Sequence, residues 1–298
     1  MEKRKFGGTG LEVSMLGFGG AEIGFEGAGV ASVREILTRA IDAGLNVVDT
    51  AAAYLKSEEL IGEALAGRRN EVVLMTKCGA LDGFSREDWS PTGITRTIEG
   101  SLRRLQTDRL DIVFLHSCGE DVLRKGDAIA ALQAARGRGL LRFLGYSGDG
   151  AAARYAVESG AFDVLQTSIS IADQSVLEDV LPLARARNMG VVAKRPIANA
   201  AWRHATKPPN SYHHEYWNRL RKLKFDFTRD GAERAGEIAL RFTLFQPGVH
   251  TAIVGTNKPG RWQQNAEVVA KGQLPAAQIE AIRARWREVA DGSWVGQM

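Results

Sequence analysis

Cysteine is scarce in this chain: Cys78 and Cys118 are the two among 298 residues. Neither belongs to a CxxC pair or lies near an HxxxH, so no zinc or other metal site is expected. Long apolar runs are absent, which excludes a membrane-spanning helix. The opening MEKRKFGGTGLEVS lacks an apolar core segment and a small-residue cleavage site, so it does not read as a secretory signal. Without export the two thiols are expected to stay reduced, and the location to be cytoplasmic. A bias to one sign of charge is missing too. Acids and bases are interspersed, the net charge is +4, and RLRKLK (219–224) is a single local basic cluster. A nucleic-acid binder usually carries a basic stripe, so neither nucleic acid nor membrane is expected as a partner.

What the chain has is alternation. Apolar runs at 15–20, 46–51, 72–79, 110–117, 141–148, 163–170, 190–197 and 250–256 each lead to an amphipathic stretch. Those stretches read as helices because apolar residues recur at spacings of three and four, as in Ile36, Leu37, Ala40 and Ile41. The runs are rich in Val, Ile and Leu without polar alternation, as in parallel strands buried on both faces. Gly44, Gly67, Gly139 and Gly190 stand where left-handed C-caps are expected.

Eight such units in this length predict a single-domain (β/α)₈ TIM barrel over 1–298. A doubly wound open sheet shares the alternation, but its glycine fingerprint should follow the first strand. GFGGAEIG (17–24) lacks that spacing. The residues before the first strand predict a β-hairpin turning at Gly7–Gly10, closing the barrel's N-terminal end. A long loop, 199–235, follows the seventh strand.

In such a barrel the working face is the C-terminal one. The second strand delivers Asp49, with Tyr54 in its loop; the third delivers Lys77 and the fourth His116. Charged groups at the ends of adjacent apolar strands are costly to bury unless they pair. A tyrosine near an ammonium is expected to have its pKa pulled down, and an acid beside the lysine to keep that ammonium charged. A neutral histidine can donate to a carbonyl oxygen. The group suits protonation of a carbonyl oxygen as it gains electrons. Taken singly, Asp49 reads equally as a helix cap, Lys77 as a Schiff-base lysine and His116 as a backbone partner.

At these residues the chain resembles an aldo-keto reductase over nearly its whole length. FGGTGLEVSMLGFGG, DAGLNVVDTAAAYLKSEELIGEAL, TKCG and DIVFLHS carry the likeness. The resemblance implies a catalytic tetrad of Tyr54 as proton donor, Lys77 and Asp49 tuning it, and His116 orienting the substrate. It also implies a nicotinamide cofactor bound across the same face, with Gly19, Gly20 and Asp49 among its contacts. Ser147 and Gln166 match residues that hold the carboxamide, but Gly148 stands where asparagine is usual, with Asp149 beside it. An aromatic residue usually follows the seventh strand. Here Lys194, Arg195 and Pro196 fill that region, the cations turning either to the pyrophosphate or to solvent.

The last motif, IVGTNKPGRWQQNAEVV (253–269), is similar to the family's adenosine-end site and implies roles for Gly255, Thr256, Lys258, Arg261, Gln264 and Asn265. A hydroxyl and two cations at a helix N-terminus suit a 2′-phosphate, so NADPH/NADP+ is expected over NADH. Trp262 has two places open to it, the adenine or the barrel. Residues 199–235 read either as a lid, with Trp202, Tyr212 and Trp217 as walls, or as an excursion packed on the barrel. Phe25, Phe84, Trp89 and Trp202 are candidate pocket walls.

The expected function is reduction of an aldehyde or ketone, or oxidation of the matching alcohol or sugar, on a small-molecule substrate. The alternatives are a non-catalytic nicotinamide-binding barrel acting as a sensor and a Schiff-base lyase using Lys77. Substrate identity, reaction direction and oligomeric state are left open.

Overall fold

The structure, a computed structural model, describes residues 1–297. The chain opens with an antiparallel hairpin, β1 (Lys3–Lys5) and β2 (Glu12–Ser14). Then come β3 (Leu16–Gly19), β4 (Val47–Asp49) and β5 (Val73–Cys78), and a small ribbon of β6 (Ala80–Leu81) and β7 (Arg86–Glu87). β8 (Leu110–His116), β9 (Leu141–Ser147), β10 (Val164–Ser168), β11 (Gly190–Lys194) and β12 (Thr251–Gly255) complete the set. The eight strands β3, β4, β5, β8, β9, β10, β11 and β12 close into a parallel barrel in that order. The (β/α)₈ barrel read from the alternation is present.

Period-two alternation explains what each strand does. Val47, Val73, Met75, Ile112, Phe114, Val164 and Val192 pack with Phe6 and Val13 in the barrel's interior. The residues between them, such as Val48, Leu74, Val113, Leu115, Leu165 and Val191, pack outward against helices. Both faces of each strand are therefore apolar. Gly145 makes room in the interior, since a Cβ there would lie 2.2 Å from the Phe114 ring.

The early helices are α1 (Ala21–Phe25), α2 (Val30–Asp42), α3 (Ser57–Ala64) and α4 (Pro91–Arg104). α2 buries Val33, Ile36, Leu37, Ala40 and Ile41, the stripe its spacing implies. α4 starts where Ser90 Oγ accepts from Gly93 N at 3.0 Å and Pro91 sits in the first turn. The later ones are α5 (Glu120–Lys125), α6 (Asp127–Gly137), α7 (Gly150–Ser159), α8 (Val180–Ala186), α9 (His214–Leu223), α10 (Ala232–Leu244), α11 (Arg261–Ala270) and α12 (Ala276–Val289).

Two features differ from the sequence reading. Gly44, Gly67 and Gly139 do take left-handed φ, but Gly190 does not; Asn188 does, at φ 53°. Gly190 instead begins β11, where a Cβ would meet the Phe6 ring at 2.9 Å. The hairpin thus plugs the N-terminal end through Phe6, and Arg4 Nη1 donates to Leu244 O and Val249 O at 2.8 and 2.7 Å. The second feature is α12, which the alternation does not announce. It carries Ile282 and Trp286 into a separate cluster with Trp294, Tyr216, Leu220, Leu223, Phe225 and Phe242. That cluster lies under the 199–235 segment, so most of the segment's aromatics are packed.

Cys78 and Cys118 are free and buried, and burial raises both thiols, Cys118 to about 12. Among the described residues no helix is long and apolar enough to cross a membrane.

Candidate active site

The site is the top layer of the barrel interior. On five strands the last inward apolar residue is followed two positions later by a polar one: Val47 by Asp49, Met75 by Lys77, Phe114 by His116, Val164 by Gln166 and Val192 by Lys194. Strand register brings them level. His116 pairs with Ser147, Ser147 with Gln166, and Gly19 with both Asp49 and Gly255.

Lys77 and Asp49 are each 1% exposed, and Lys77 Nζ donates to Asp49 Oδ2 at 2.6 Å and to Thr50 O at 2.8 Å. Burial lowers the pKa of Lys77, opposed by Asp49. The other Asp49 oxygen accepts from Gln166 Nε2 at 2.8 Å, and Gln166 Oε1 accepts from Ser147 Oγ at 2.9 Å. One hydrogen-bonded chain therefore runs Lys77–Asp49–Gln166–Ser147 across four strands.

Tyr54 stands over this chain. Lys77 Nζ lies 4.9 Å from its ring centroid. The His116 ring meets it edge-on at 5.5 Å, and Phe25 and Phe84 approach at 5.9 and 6.1 Å. Phe84 also meets His116 at 4.9 Å. Phe25 and Phe84 are about half exposed, at 47% and 49%, and stand beside Tyr54 at the open side of this layer. The Tyr54 loop is fixed from below: Ser57 Oγ donates to Gly20 O at 2.7 Å, and Ala52 N to Lys77 O at 3.2 Å. Gly24 admits the loop, since a Cβ there would lie 2.1 Å from Tyr54 O. Nothing in the sequence singles out Ser57 or Gly24 for this supporting role.

The electrostatics correct one expectation. The Tyr54 phenol is not pulled down; burial, and then Asp49, push it well above its ordinary value, with Arg195 opposing. Desolvation outweighs the nearby cations, so the phenol is protonated at neutral pH. His116 moves the other way. Burial, then Lys77, Lys194 and Arg195, hold it well below 6.5, and it is neutral. Its Nδ1 is buried without a partner. A neutral imidazole costs least there with its proton on Nε2, as a donor.

The two departures from the usual pattern are one device. Lys194 Nζ lies 2.9 Å from Asp149 Oδ2, and Arg195 Nη1 3.8 Å from the same oxygen. Asp149 also accepts from Thr167 Oγ1, Ser168 N and Ser168 Oγ at 2.8, 2.7 and 3.1 Å. Burial would raise its carboxyl, but Lys194 and Arg195 outweigh that and lower it. Asp149 is thus committed and does not stand in for an asparagine. Gly148 leaves no room for one either, because a Cβ would lie 2.3 Å from Tyr146 Oη. Neither cation is left to solvent alone: their side chains are 10% and 13% exposed. A signal existed, since two consecutive cations at a buried strand end require an acid, and Asp149 stands at another strand end.

Other candidates fall elsewhere. Trp202 and Trp217 both pack against the second cluster beneath the 199–235 segment. Trp89 packs on the main core and lies against Gly79, its Nε1 donating to Glu87 at 2.9 Å. From the same segment it is Tyr212, 46% exposed, that reaches the mouth; its Oη accepts from Arg195 Nε at 3.0 Å. Trp262 is 1% exposed in the main core, which settles it on the barrel. Thr256 Oγ1 accepts from Lys258 N at 3.0 Å ahead of α11. Lys258 and Gln264 are exposed, Arg261 and Asn265 partly so, and among the described residues neither cation has an acidic partner. Glu22, unremarked in the sequence, sets its carboxylate against Gly255 and is raised by burial. Pro196 O accepts from Thr243 Oγ1 at 3.0 Å, which anchors the loop after β11.

The Aldo/keto reductase family profile matches residues 15–287. The chain belongs to that family. It is 27% identical to L-galactose dehydrogenase of Arabidopsis thaliana, over 95% of this chain and 94% of that one. It is 29% identical to the NADH-specific methylglyoxal reductase of Escherichia coli (strain K12), over 66% and 68%. The holo form of aldo-keto reductase AKR11C1 from Bacillus halodurans superposes with a TM-score of 0.81 at 26% identity, covering 96% of each chain.

Aldo-keto reductases use nicotinamide cofactors, and the residues here fit one. Gln166 spends one donor and one acceptor on Asp49 and Ser147. An amide has two of each, so one donor and one acceptor remain, the pair a carboxamide needs. Lys258 and Arg261, unneutralised beside the N-terminus of α11, suit phosphate.

Proposed function

We propose that this aldo-keto reductase is an NADPH-preferring oxidoreductase that reduces an aldehyde or ketone, or oxidises the matching alcohol or sugar. The observation that carries the reading is the buried Lys77–Asp49 pair beneath Tyr54, with neutral His116 edge-on to its ring. When bound, the nicotinamide supplies a hydride to the carbonyl carbon. His116 Nε2–H orients the carbonyl oxygen. Tyr54, protonated at rest, gives that oxygen its proton. The phenolate left behind gains stabilisation from the Lys77 ammonium, which Asp49 keeps charged. Phe25, Phe84 and Tyr212 keep water from the reacting atoms.

Gly19, Gly20, Ser147, Gln166 and Gly255 would line the nicotinamide half of the cleft, and Thr256, Lys258, Arg261, Gln264 and Asn265 the adenosine half. The preference for NADPH rests on Lys258 and Arg261. The NADH-specific relative makes it a choice to be measured on this chain. Arg261→Ala should weaken NADPH binding about tenfold or more while barely moving NADH; equal effects on both would remove the 2′-phosphate assignment. Lys77 is held by two hydrogen bonds and is not poised as a free amine. Borohydride should therefore trap no substrate on the protein, and trapping at Lys77 would restore the lyase reading.

A further inference from the structure

We propose that Arg195 is a substrate-binding residue and that the substrate is an oxo acid, a carbonyl compound with a carboxylate close to the carbonyl. The proposal rests on the reductase reading above and names its substrate class.

The first argument is charge. Around His116 stand the cations Lys77, Lys194 and Arg195. Asp49 neutralises Lys77, and Asp149 neutralises Lys194 at 2.9 Å. Arg195 shares that second carboxylate only at 3.8 Å, after its oxygens have taken Lys194 and three hydrogen bonds. Asp173 also faces Arg195, but it is paired with Arg219 at 3.6 Å and accepts from Tyr216, so one cation is left in excess in the buried layer. Glu22 also faces Tyr54, from the side of Gly255, and burial disfavours its charged form. An uncompensated buried cation is costly unless a partner arrives with the ligand.

Direction is the second argument. Arg195 adopts φ 54°, a left-handed backbone rare for a side chain of this size. From there the guanidinium turns back to β10, where Nη1 donates to Ser168 Oγ at 2.9 Å. Ser168 lies two residues past Gln166 and pairs in register with Lys194. The guanidinium therefore sits on the side of Gln166 and His116, away from β12 and the Thr256–Arg261 end. Nε is taken by Tyr212 Oη. Nη2 makes no hydrogen bond among the described residues and is not among the buried unpartnered atoms. A planar fork with a free arm beside the carbonyl-binding histidine matches a carboxylate.

In the reaction the carbonyl carbon gains a hydride, two electrons with one hydrogen, from the reduced nicotinamide. Its oxygen gains the Tyr54 proton. The product is the hydroxy acid with oxidised nicotinamide, and the carboxylate on Arg195 is unchanged throughout.

Phenylglyoxylate and its methyl ester, equal in the reacting carbonyl but differing in charge, test this with the whole chain and NADPH. The wild type should favour the acid at least about tenfold in kcat/KM, and the acid, not the ester, should raise Tm. In Arg195→Met the acid-to-ester ratio should fall to near one, a loss of about tenfold or more, chiefly through KM. NADPH affinity by fluorescence should change less than about threefold. Arg195→Lys, which keeps charge without the fork, should recover part of the preference and serves where the Met variant does not fold. Equal use of acid and ester with no Tm shift overturns the proposal while the reductase stands. A preserved ratio with weakened NADPH binding overturns it by giving Arg195 to the cofactor. Failure to bind either nicotinamide defeats the reductase reading, and this one with it.

Discussion

Tyr54 is a phenol that burial keeps protonated and a buried ammonium 4.9 Å from its ring waits to stabilise once ionised. Donation then belongs to the moment of reaction rather than to the resting protein. Tyr54→Phe should bind NADPH as tightly as the wild type and lose reduction by about 10²–10⁴-fold, the range for a general acid. Single-turnover loss of NADPH fluorescence checks it; undiminished turnover would remove Tyr54 from the chemistry. His116, held well below 6.5, should not titrate between pH 6 and 8. The reduction rate in the ternary complex should therefore show no inflection near 6.5, and a histidine-like step would mean the imidazole is charged at rest.

At this scale Asp49, Tyr54, Lys77 and His116 were legible because each falls at or just past a strand end. For Asp149 and Lys194 the sequence carries only the demand for an acid near two strand-end cations; which acid answers it is settled by packing, because β10 lies between β9 and β11 and nothing local links the two. The direction of the Tyr54 shift was missed because it depends on how deeply the loop is buried, which spacing does not encode.

Among elements, the 199–235 segment divides its labour. α9 docks through Tyr216, whose Oη donates to Asp173 Oδ2 at 2.9 Å, and through Arg219, whose Nη2 donates to Val295 O at 2.7 Å. Burial and then Asp149 push Asp173 up to about 7, against Arg219, Tyr216 and Arg195. Its folded pKa thus exceeds the unfolded value of about 3.9. Between the two the folded protein binds more protons than the unfolded chain. Asp173 should therefore cost stability progressively as pH rises from about 4 to about 7, with no further change above. Asp173→Asn should flatten that part of the profile, measured by urea denaturation at several pH values; an unchanged slope would show that Asp173 titrates normally. Trp202 and Trp217 pack on the second cluster while Tyr212 reaches the mouth, and aromatic content alone does not tell these apart.

For the molecule as a whole, the barrel and its layers follow from strands whose two faces are both apolar, so the alternation was enough to predict it. The N-terminal plug was legible as a hairpin, yet the reason for Gly190 was not, because Phe6 meets it across a long stretch of chain. Gly190→Ala should cost about 1–3 kcal/mol by overpacking against that ring, seen as a lower Tm with NADPH affinity unchanged. α12 stayed hidden because its packing face is sparse: it buries Ile282 and Trp286, and most of its other apolar residues are alanines.

On the proposed reading, one face of the barrel joins a proton-donating Tyr54 to a nicotinamide whose phosphate end lies at Thr256–Arg261. Parallel fluorescence titrations with NADPH and NADH, on the wild type, Tyr54→Phe and Arg261→Ala, test it most directly. Saturable NADPH binding should be tighter than NADH binding, kept in Tyr54→Phe and weakened about tenfold or more in Arg261→Ala. Failure of the wild type to bind either nucleotide would contradict it, leaving the barrel but not the reductase.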